Sequence, residues 1–297
     1  MAWSRYLRIK QQWIKEFLAE FLGTFLLMLF GDGNVAQSVL SGKEYGEFLS
    51  INLGWFVAVT MGVYASAGVS GGHINPAVSL ALAVVGKFSW KKVPHYIVAQ
   101  MLGSFAASAA LYGVYLDALN DFDGGVRQVL GENGTAGIWA TYPKPFLSLQ
   151  TGLGDQILGT GLLVCCVLAV TDKRNDGAPK GMTALMVGLS VLGIGLAFGY
   201  NCGYAINPAR DLAPRLFTYI AGWGVEVWVP NGIHWWWVPI VGPCLGAIAG
   251  ALTYMLCVEL HHTPEDEKPM TELDEDYAMS NVSMKQRDSE VAYNNPM

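Results

Sequence analysis

The chain has 297 residues, of which 52% are hydrophobic and 14% are charged, against a charged share of about 25% in typical soluble domains. The formal net charge of -6 lies entirely in the last 33 residues, Glu265 to Met297, because the residues before them carry 15 acidic and 15 basic side chains. This composition argues against a soluble protein, a mostly disordered chain and a nucleic-acid-binding protein, which would need a basic patch for phosphates. We therefore expect no nucleic-acid partner and a lipid bilayer around the protein.

The chain begins with a polar, basic segment, residues 1–16, which we expect to be cytoplasmic and which lacks the features of a signal peptide. Six apolar stretches follow, each long or nearly long enough to cross about 30 Å of hydrocarbon at about 20 residues per span. In chain order the predicted spans are Phe17–Leu40, Phe48–Ala67, His95–Leu116, Gln156–Thr171, Met182–Tyr200 and Trp235–Val258. The fourth is short at its core, so we expect it to extend into Leu147–Asp155.

Two further apolar segments, Pro76–Gly86 and Pro208–Ile220, are too short to span a bilayer. Apolar segments of about 10–14 residues are typically re-entrant, interfacial or part of a soluble core. The residues that flank these two segments must decide between those structures.

Basic residues are shared unevenly between the predicted loops, which indicates the orientation in the membrane. Ten lie in segments on the side of the termini and three in the opposite loops, so both termini are predicted to be cytoplasmic. The long loop between spans three and four is then external, and it contains a candidate N-glycosylation site at Asn133. A second sequon at Asn281 lies in the acidic tail, residues 260–297, which we predict to be disordered, cytoplasmic and unglycosylated.

An internal repeat divides the predicted channel domain, residues 17–259, into two halves of about 17–116 and 150–258. Glu20–Thr24 resembles Gln156–Thr160, and the triplet Asn75-Pro76-Ala77 recurs as Asn207-Pro208-Ala209. Each half holds three spans and one short segment. Because three is odd, the second half is inverted relative to the first, and inverted repeats place their shared site near the bilayer midplane, at broken helices.

Paired Asn-Pro-Ala triplets, each opening a short apolar segment at matching places in two inverted halves, identify the chain as resembling the aquaporin family over Glu16–Glu259. The resemblance implies an all-α membrane protein with six transmembrane helices and two re-entrant half-helices. It also implies a homotetramer with a pore in each protomer, located in the plasma membrane.

The residue types of the triplets suit a pore for small neutral solutes. Asn is a favoured helix N-cap and Pro a favoured first helical residue, so each triplet predicts a helix start. Two such N-termini meeting at the midplane would make it electropositive and hinder cations and protons. The irregular backbone before each triplet would supply carbonyl acceptors for hydroxyl groups. The predicted pore-lining backbone residues are Gly72, His73, Ile74, Ala205 and Ile206.

Several polar residues are predicted to support this backbone. Glu20 in span one and its counterpart Gln156 in span four are interpreted, by the resemblance, as braces for the re-entrant loops rather than proton carriers. Asp211, which follows the second triplet, is interpreted as a loop brace. For His73 the favoured role is also a bracing hydrogen bond, and a role in sensing pH is the alternative hypothesis.

Spacing from the triplets and the family resemblance predict a selectivity filter of Trp55, Gly195, Tyr204 and Arg210. A glycine in place of the histidine of water-selective members is expected to open this ring. The sequence Asn-Pro-Ala-Arg-Asp is typical of glycerol facilitators, and the long outer loop resembles that of vertebrate members. We therefore assign the chain to the aquaglyceroporin subgroup, a passive channel for glycerol and water that excludes ions and protons, with urea as a further candidate solute.

Other classes of function fit the sequence less well. An ion-coupled secondary transporter also uses inverted repeats and broken helices, and it is the alternative to a channel. A structural membrane protein with an occluded pore is a third hypothesis. No enzymatic motif is present, and we expect no cofactor and no metal site. One departure from the family is Asp32, a carboxylate inside span one for which the sequence suggests no partner.

Overall fold

The computed structural model describes residues 8–179 and 181–263, and within this part of the chain no β-strand is present. The described residues belong to two compact units, one ending at Met255 and one beginning at Leu256. Eight α-helices occur in the described residues: α1 Gln12–Leu40, α2 Phe48–Ser70, α3 Pro76–Val84, α4 Val93–Asp123, α5 Leu149–Thr171, α6 Thr183–Phe198, α7 Pro208–Thr218 and α8 Val238–Cys257.

Each predicted span corresponds to one long helix, which confirms the all-α membrane fold. Helix α5 begins at Leu149, so the short fourth span does extend toward the preceding segment as expected. By length and apolar composition, four segments of the described chain could cross a membrane alone: Phe48–Ser70, Trp90–Asp123, Leu149–Thr171 and Val238–His261. Helix α6 is apolar but has only 16 residues, and α1 has 29 residues that include buried acids.

The two short predicted segments form α3, with 9 residues, and α7, with 11 residues. Both pack against α4, and they contact one another. Neither is long enough to cross the hydrocarbon alone. They are therefore the two half-helices expected from the repeated triplets.

Close helix contacts recur in the two halves of the repeat and are made possible by glycine. A Cβ atom on Gly103 of α4 would meet the carbonyl oxygen of Phe21 in α1, and a Cβ atom on Gly246 of α8 would meet the carbonyl oxygen of Ile157 in α5. Small residues let helix backbones approach in this way. The equivalent glycines of the two halves thus allow close contact between equivalent pairs of helices.

The proposed domain boundaries remain predictions. Most of the predicted tail, residues 264–297, and residues 1–7 of the N-terminal segment lie outside the described residues.

Candidate functional site: a pore between two half-helices

The half-helices begin at the two asparagines, as the sequence predicts. The Oδ1 atom of Asn75 accepts a hydrogen bond of 2.9 Å from the backbone N–H of Ala77, and Oδ1 of Asn207 accepts one of 3.0 Å from Ala209. Pro76 and Pro208 occupy the first helical position, where no backbone N–H is needed. These caps fix each asparagine side chain with its amide nitrogen directed away from its own helix.

Each amide nitrogen then reaches across to the other half of the molecule. Asn75 donates from Nδ2 to the carbonyl oxygen of Ile206 at 2.9 Å, and Asn207 donates to the carbonyl oxygen of Ile74 at 2.9 Å. An amide NH2 group carries two hydrogens, so a second N–H of each asparagine remains for a solute. The reciprocal pair of bonds joins the N-termini of α3 and α7 at one place.

The loops before the triplets hold an unusual backbone conformation. Ile74 and Ile206 both have a φ of 44°, and Tyr204 has a φ of 40°. A positive φ is rare for a β-branched or bulky residue and costs about 1–3 kcal/mol, so it persists only where the surroundings impose it. All three residues line one cavity.

Glu20 is the brace of the first loop. Its Oε1 accepts from the N–H of His73 at 3.0 Å and its Oε2 from the N–H of Ile74 at 2.7 Å. The side chains of Ser70 and Gln100 donate to the same carboxylate at 2.6 Å and 2.8 Å. Because four donors bind its carboxylate, the fully buried side chain of Glu20 is held in one position.

Gln156 occupies the equivalent position in the second loop with fewer bonds. Its Oε1 accepts from the N–H of Ile206 at 3.0 Å, while its Nε2 lies 3.2 Å from Sγ of Cys202. An amide can both accept and donate hydrogen bonds. This suits the second loop, where Gln156 accepts from one backbone N–H and has a sulfur atom beside its Nε2. The two halves therefore brace the same backbone turn with different chemistry.

Two cavities lie end to end along this site. A central cavity of about 180 Å³ is lined by both triplet asparagines and by all five predicted pore-lining backbone residues. A mouth cavity of about 610 Å³ lies under the loop between α4 and α5. The residues that line both cavities are Trp55, Tyr204 and Arg210. These three belong to the predicted filter, which is therefore predicted to lie where the two cavities adjoin.

Arg210, which lines both cavities, has two close neighbours. Its Nη1 donates to the carbonyl oxygen of Trp139 at 2.6 Å, and its guanidinium carbon lies 4.3 Å from the ring centroid of Trp55. The side chain is 7% exposed. Aromatic ring and guanidinium thus form adjacent walls, one apolar and one hydrogen-bonding.

Gly195, the fourth residue of the predicted filter, lies behind Tyr204 and Asn52. It lines neither cavity, and a Cβ atom there would lie 2.7 Å from Cζ of Tyr204 and would also meet Oδ1 of Asn52. The space that glycine leaves is therefore filled by the tyrosine ring. Glycine at position 195 thus lets Asn52 and Tyr204 lie against α6, and its effect on the width of the predicted filter stays a prediction.

Asp32 does have a partner, which the sequence did not reveal. Its Oδ1 lies 3.5 Å from Nη1 of Arg210. Both residues are buried, although they are far apart in the chain. The acid of span one thus lies beside Arg210 of the predicted filter.

The loop that supplies the Trp139 carbonyl is tied down by Asp211 and Arg215. Asp211 accepts from the backbone N–H of Thr141 at 2.8 Å and forms an ion pair of 2.7 Å with Arg215. Arg215 in turn donates to the carbonyl oxygen of Thr141 at 2.6 Å. Burial raises the pKa of neighbouring Tyr142 in this loop to about 12, so its phenol stays protonated at neutral pH.

His73 lies in the first loop with its ring packed against aromatic neighbours. Its Nδ1 is 2.9 Å from Oγ of Ser79 in α3, and its ring centroid is 4.5 Å from that of Phe88 and 5.0 Å from that of Tyr96. This geometry fits a brace between loop and half-helix. His73 also lines the central cavity, so it is accessible to the pore.

Three functional neighbours were missed by sequence reasoning: Trp139, Asn52 and Thr141. Each contacts a predicted site residue that is distant in sequence, as Trp139 contacts Arg210 at a separation of 71 positions. Asn133, the predicted glycosylation site, lies exposed in the same loop as Trp139.

Comparisons with known proteins identify the family to which this chain belongs. The pattern of the family "Major intrinsic protein" matches residues 8–254. Human Aquaporin-10 is 50% identical over 90% of this chain and 88% of its own length, and human Aquaporin-9 is 48% identical over 93% of both. The chain belongs to the major intrinsic protein family.

A solved structure adds a match of fold. The X-ray structure of the aquaglyceroporin from Plasmodium falciparum superposes with a TM-score of 0.75 at 34% identity, and the match covers 84% of this chain and 98% of that one. The resemblance to the aquaporin family and to its aquaglyceroporin subgroup is thereby confirmed. The matches support a passive channel and give no support to a coupled transporter.

Proposed function

We propose that this family member is a passive channel for glycerol and water, with urea as a further candidate solute. The observation that carries the proposal is the pair of cavities that share Trp55, Tyr204 and Arg210 as their common lining. A solute moving from one cavity to the other must pass between an aromatic wall and a guanidinium. These two walls complement a polyol, whose carbon chain is apolar and whose hydroxyl groups accept hydrogen bonds.

The central cavity also has an apolar side and a polar side. Its apolar side includes Val59, Val63 and Val191, and its polar side includes the two triplet asparagines. Asparagine N–H groups donate at the centre, and the loop carbonyls accept on either side of it. A neutral solute can exchange one set of hydrogen bonds for the next, so no step leaves its hydroxyl groups unpaired.

Two features support the exclusion of cations and protons. The N-termini of α3 and α7 meet at Asn75 and Asn207, and each carries about half a positive charge. Arg210 adds a fixed guanidinium at the constriction. A cation that lost its hydration shell there would face donors rather than acceptors.

The roles of the supporting residues belong to the same proposal. Glu20, Gln156 and Asp211 hold the backbone that lines the path. His73 braces the first loop through Ser79, and the alternative role of a pH sensor is tested by His73→Ala. A brace predicts a lower flux with an unchanged pH dependence, whereas a sensor predicts that the pH dependence disappears.

We further propose a homotetramer in the plasma membrane, with both termini cytoplasmic and each protomer carrying its own pore. Exposed apolar side chains on the long helices, such as Leu53 and Leu102, suit contact with lipid or with other protomers. No enzymatic activity is proposed, because the described pore residues are explained by conduction.

Reconstitution of the full chain into liposomes tests this function. Water flux is followed by light scattering after an impermeant osmotic step, and glycerol and urea flux by the same method after a solute step. We expect both water and glycerol flux to exceed those of empty vesicles and to be unaffected by sodium, potassium or proton gradients.

A matched variant ties the flux to the proposed path. Tyr204→Trp adds bulk at the constriction and should lower glycerol flux more than water flux. Glycerol accumulation against its gradient when an ion gradient is applied would overturn the channel in favour of a transporter. Flux of neither solute would overturn it in favour of a structural protein.

A further inference from the structure

Asp32 is the unexplained acid of the filter region. It lies in α1, is 1% exposed, and places Oδ1 3.5 Å from Nη1 of Arg210. Its Oδ2 is buried and has no hydrogen-bond partner among the described residues. A carboxylate in such a place is unfavourable unless a positive charge compensates it.

The other groups around the Arg210 guanidinium carry no negative charge. They are the carbonyl oxygen of Trp139 and the ring of Trp55. The adjacent acid Asp211 is already engaged by Arg215 and by Thr141. Within the described residues, Asp32 is therefore the carboxylate that pairs with Arg210.

Helix α1 shapes the other wall of the filter at the same point. A Cβ atom on Gly31 would lie 2.6 Å from Cε3 of Trp55 and still closer to other atoms of that ring. Glycine at this position lets the indole lie against α1, and the guanidinium carbon of Arg210 lies 4.3 Å from the centroid of the same ring. Gly31 and Asp32 thus position the aromatic wall and the cationic wall together.

We propose that Asp32 is a specificity-determining residue of the filter that acts as the counter-ion of Arg210. It offsets the positive charge at the constriction while leaving the guanidinium N–H groups in place as donors. A compensated guanidinium holds a passing hydroxyl less tightly, and a conducting site must let its solute leave as well as enter. The inference rests on the proposed filter and concerns the charge of that filter.

The proposal assigns opposite signs to the two single variants. Asp32→Asn leaves Arg210 uncompensated, so the constriction becomes more positive and favours small anions. Arg210→Val leaves Asp32 uncompensated, so the constriction becomes more negative and favours cations. Removal of both charges restores a neutral constriction.

The test is a double-mutant cycle in liposomes, with nitrate and potassium as the probes. Relative permeability is read from the diffusion potential across a potassium nitrate gradient. We expect Asp32→Asn to shift the nitrate-to-potassium ratio upward by about tenfold, which corresponds to about 1.4 kcal/mol. We expect Arg210→Val to shift the ratio downward, and the double variant to return near the parent value.

A merely structural role for Asp32 gives a different pattern. Loosened packing raises leakage of both ions without a preference of sign, and the double variant then leaks at least as much as either single one. That result, or an unchanged ion ratio in both single variants, would overturn the proposal. Asp121→Asn removes one exposed acid at the end of α4 and should leave the ratio at the parent value.

Glycerol saturation in Asp32→Asn gives a second measurement should Arg210→Val not fold. Tighter binding at the uncompensated guanidinium should make glycerol flux saturate at a lower concentration, with water flux changed less. An unchanged or higher saturating concentration would contradict the counter-ion role. Absence of glycerol flux in the parent channel would instead contradict the proposed function, so the two failures are distinguishable.

Discussion

At the residue scale, Gly195 leaves space that neighbouring side chains of the proposed filter occupy. Because a Cβ atom there would overlap Asn52 and Tyr204, a larger residue must displace the tyrosine ring toward the path. We predict that Gly195→His lowers glycerol flux by about tenfold, which corresponds to about 1.4 kcal/mol added to the barrier, and lowers water flux less. Stopped-flow light scattering on proteoliposomes measures both rates.

Gly193 offers a matched control in the same helix. A Cβ atom at Gly193 meets nothing within 4 Å, so Gly193→Ala should leave both fluxes unchanged. Equal loss of water and glycerol flux in Gly195→His would count against the assignment of Gly195 to solute selectivity.

Substitution of Glu20 distinguishes a structural carboxylate from a proton carrier. In Glu20→Gln one acceptor oxygen becomes an NH2 group that faces existing donors from His73, Ile74, Ser70 or Gln100. The loss of a buried, charge-assisted bond should destabilise the fold by about 1–3 kcal/mol. We expect a lower unfolding temperature in detergent and equal fractional losses of water and glycerol flux.

The proton-carrier role makes the opposite prediction for the same variant. It requires an intact fold and a changed pH dependence of flux. An unaltered unfolding temperature together with an altered pH profile would therefore rule out the bracing role of Glu20.

At the scale of helices, the two halves depend on backbone contacts that only glycine permits. Gly246 in α8 faces the carbonyl of Ile157 in α5. Gly246→Leu must separate the two helices, and we predict a destabilisation of about 1–3 kcal/mol, typical of overpacking. Thermal unfolding of the purified protein measures it, with Gly113→Leu in α4 as the control, since nothing lies within 4 Å of a Cβ atom there.

The helices could be predicted from the sequence because their signals are local. Apolar length marks the spans, and Asn75-Pro76 and Asn207-Pro208 cap their own helices within three residues. Even the short fourth span was extended in the correct direction. The inverted repeat then placed the two half-helices at one point, because equivalent elements must occupy equivalent places.

Contacts across the fold were beyond this reasoning. Arg210 was located by its motif, but its partners Trp139 and Asp32 come from a loop and a helix with no sequence pattern that links them to it. The filled space at Gly195 was also missed, because a sequence shows that a side chain is absent and not which neighbour takes its place. The motifs therefore predict residues that line the central cavity, but not which side chains occupy the space beside Gly195.

At the scale of the whole molecule, the positions of acidic and basic side chains correspond to their proposed roles. The chain up to Pro264 is neutral overall. Two of the described acids buried in its helices lie at the proposed pore: Glu20 holds a loop, and Asp32 lies against Arg210. The remaining basic residues are concentrated in the segments on the side of the termini, which is the basis for the proposed orientation.

That orientation makes a prediction about glycosylation. Asn133 is exposed in the loop between α4 and α5, which would face the outside, whereas the sequon at Asn281 would face the cytoplasm. Digestion of protein from eukaryotic membranes with an N-glycosidase should lower the apparent mass of the parent and of Asn281→Gln, but not that of Asn133→Gln. A mass shift that persists in Asn133→Gln and vanishes in Asn281→Gln would invert the proposed topology, because glycans are attached on the external side alone.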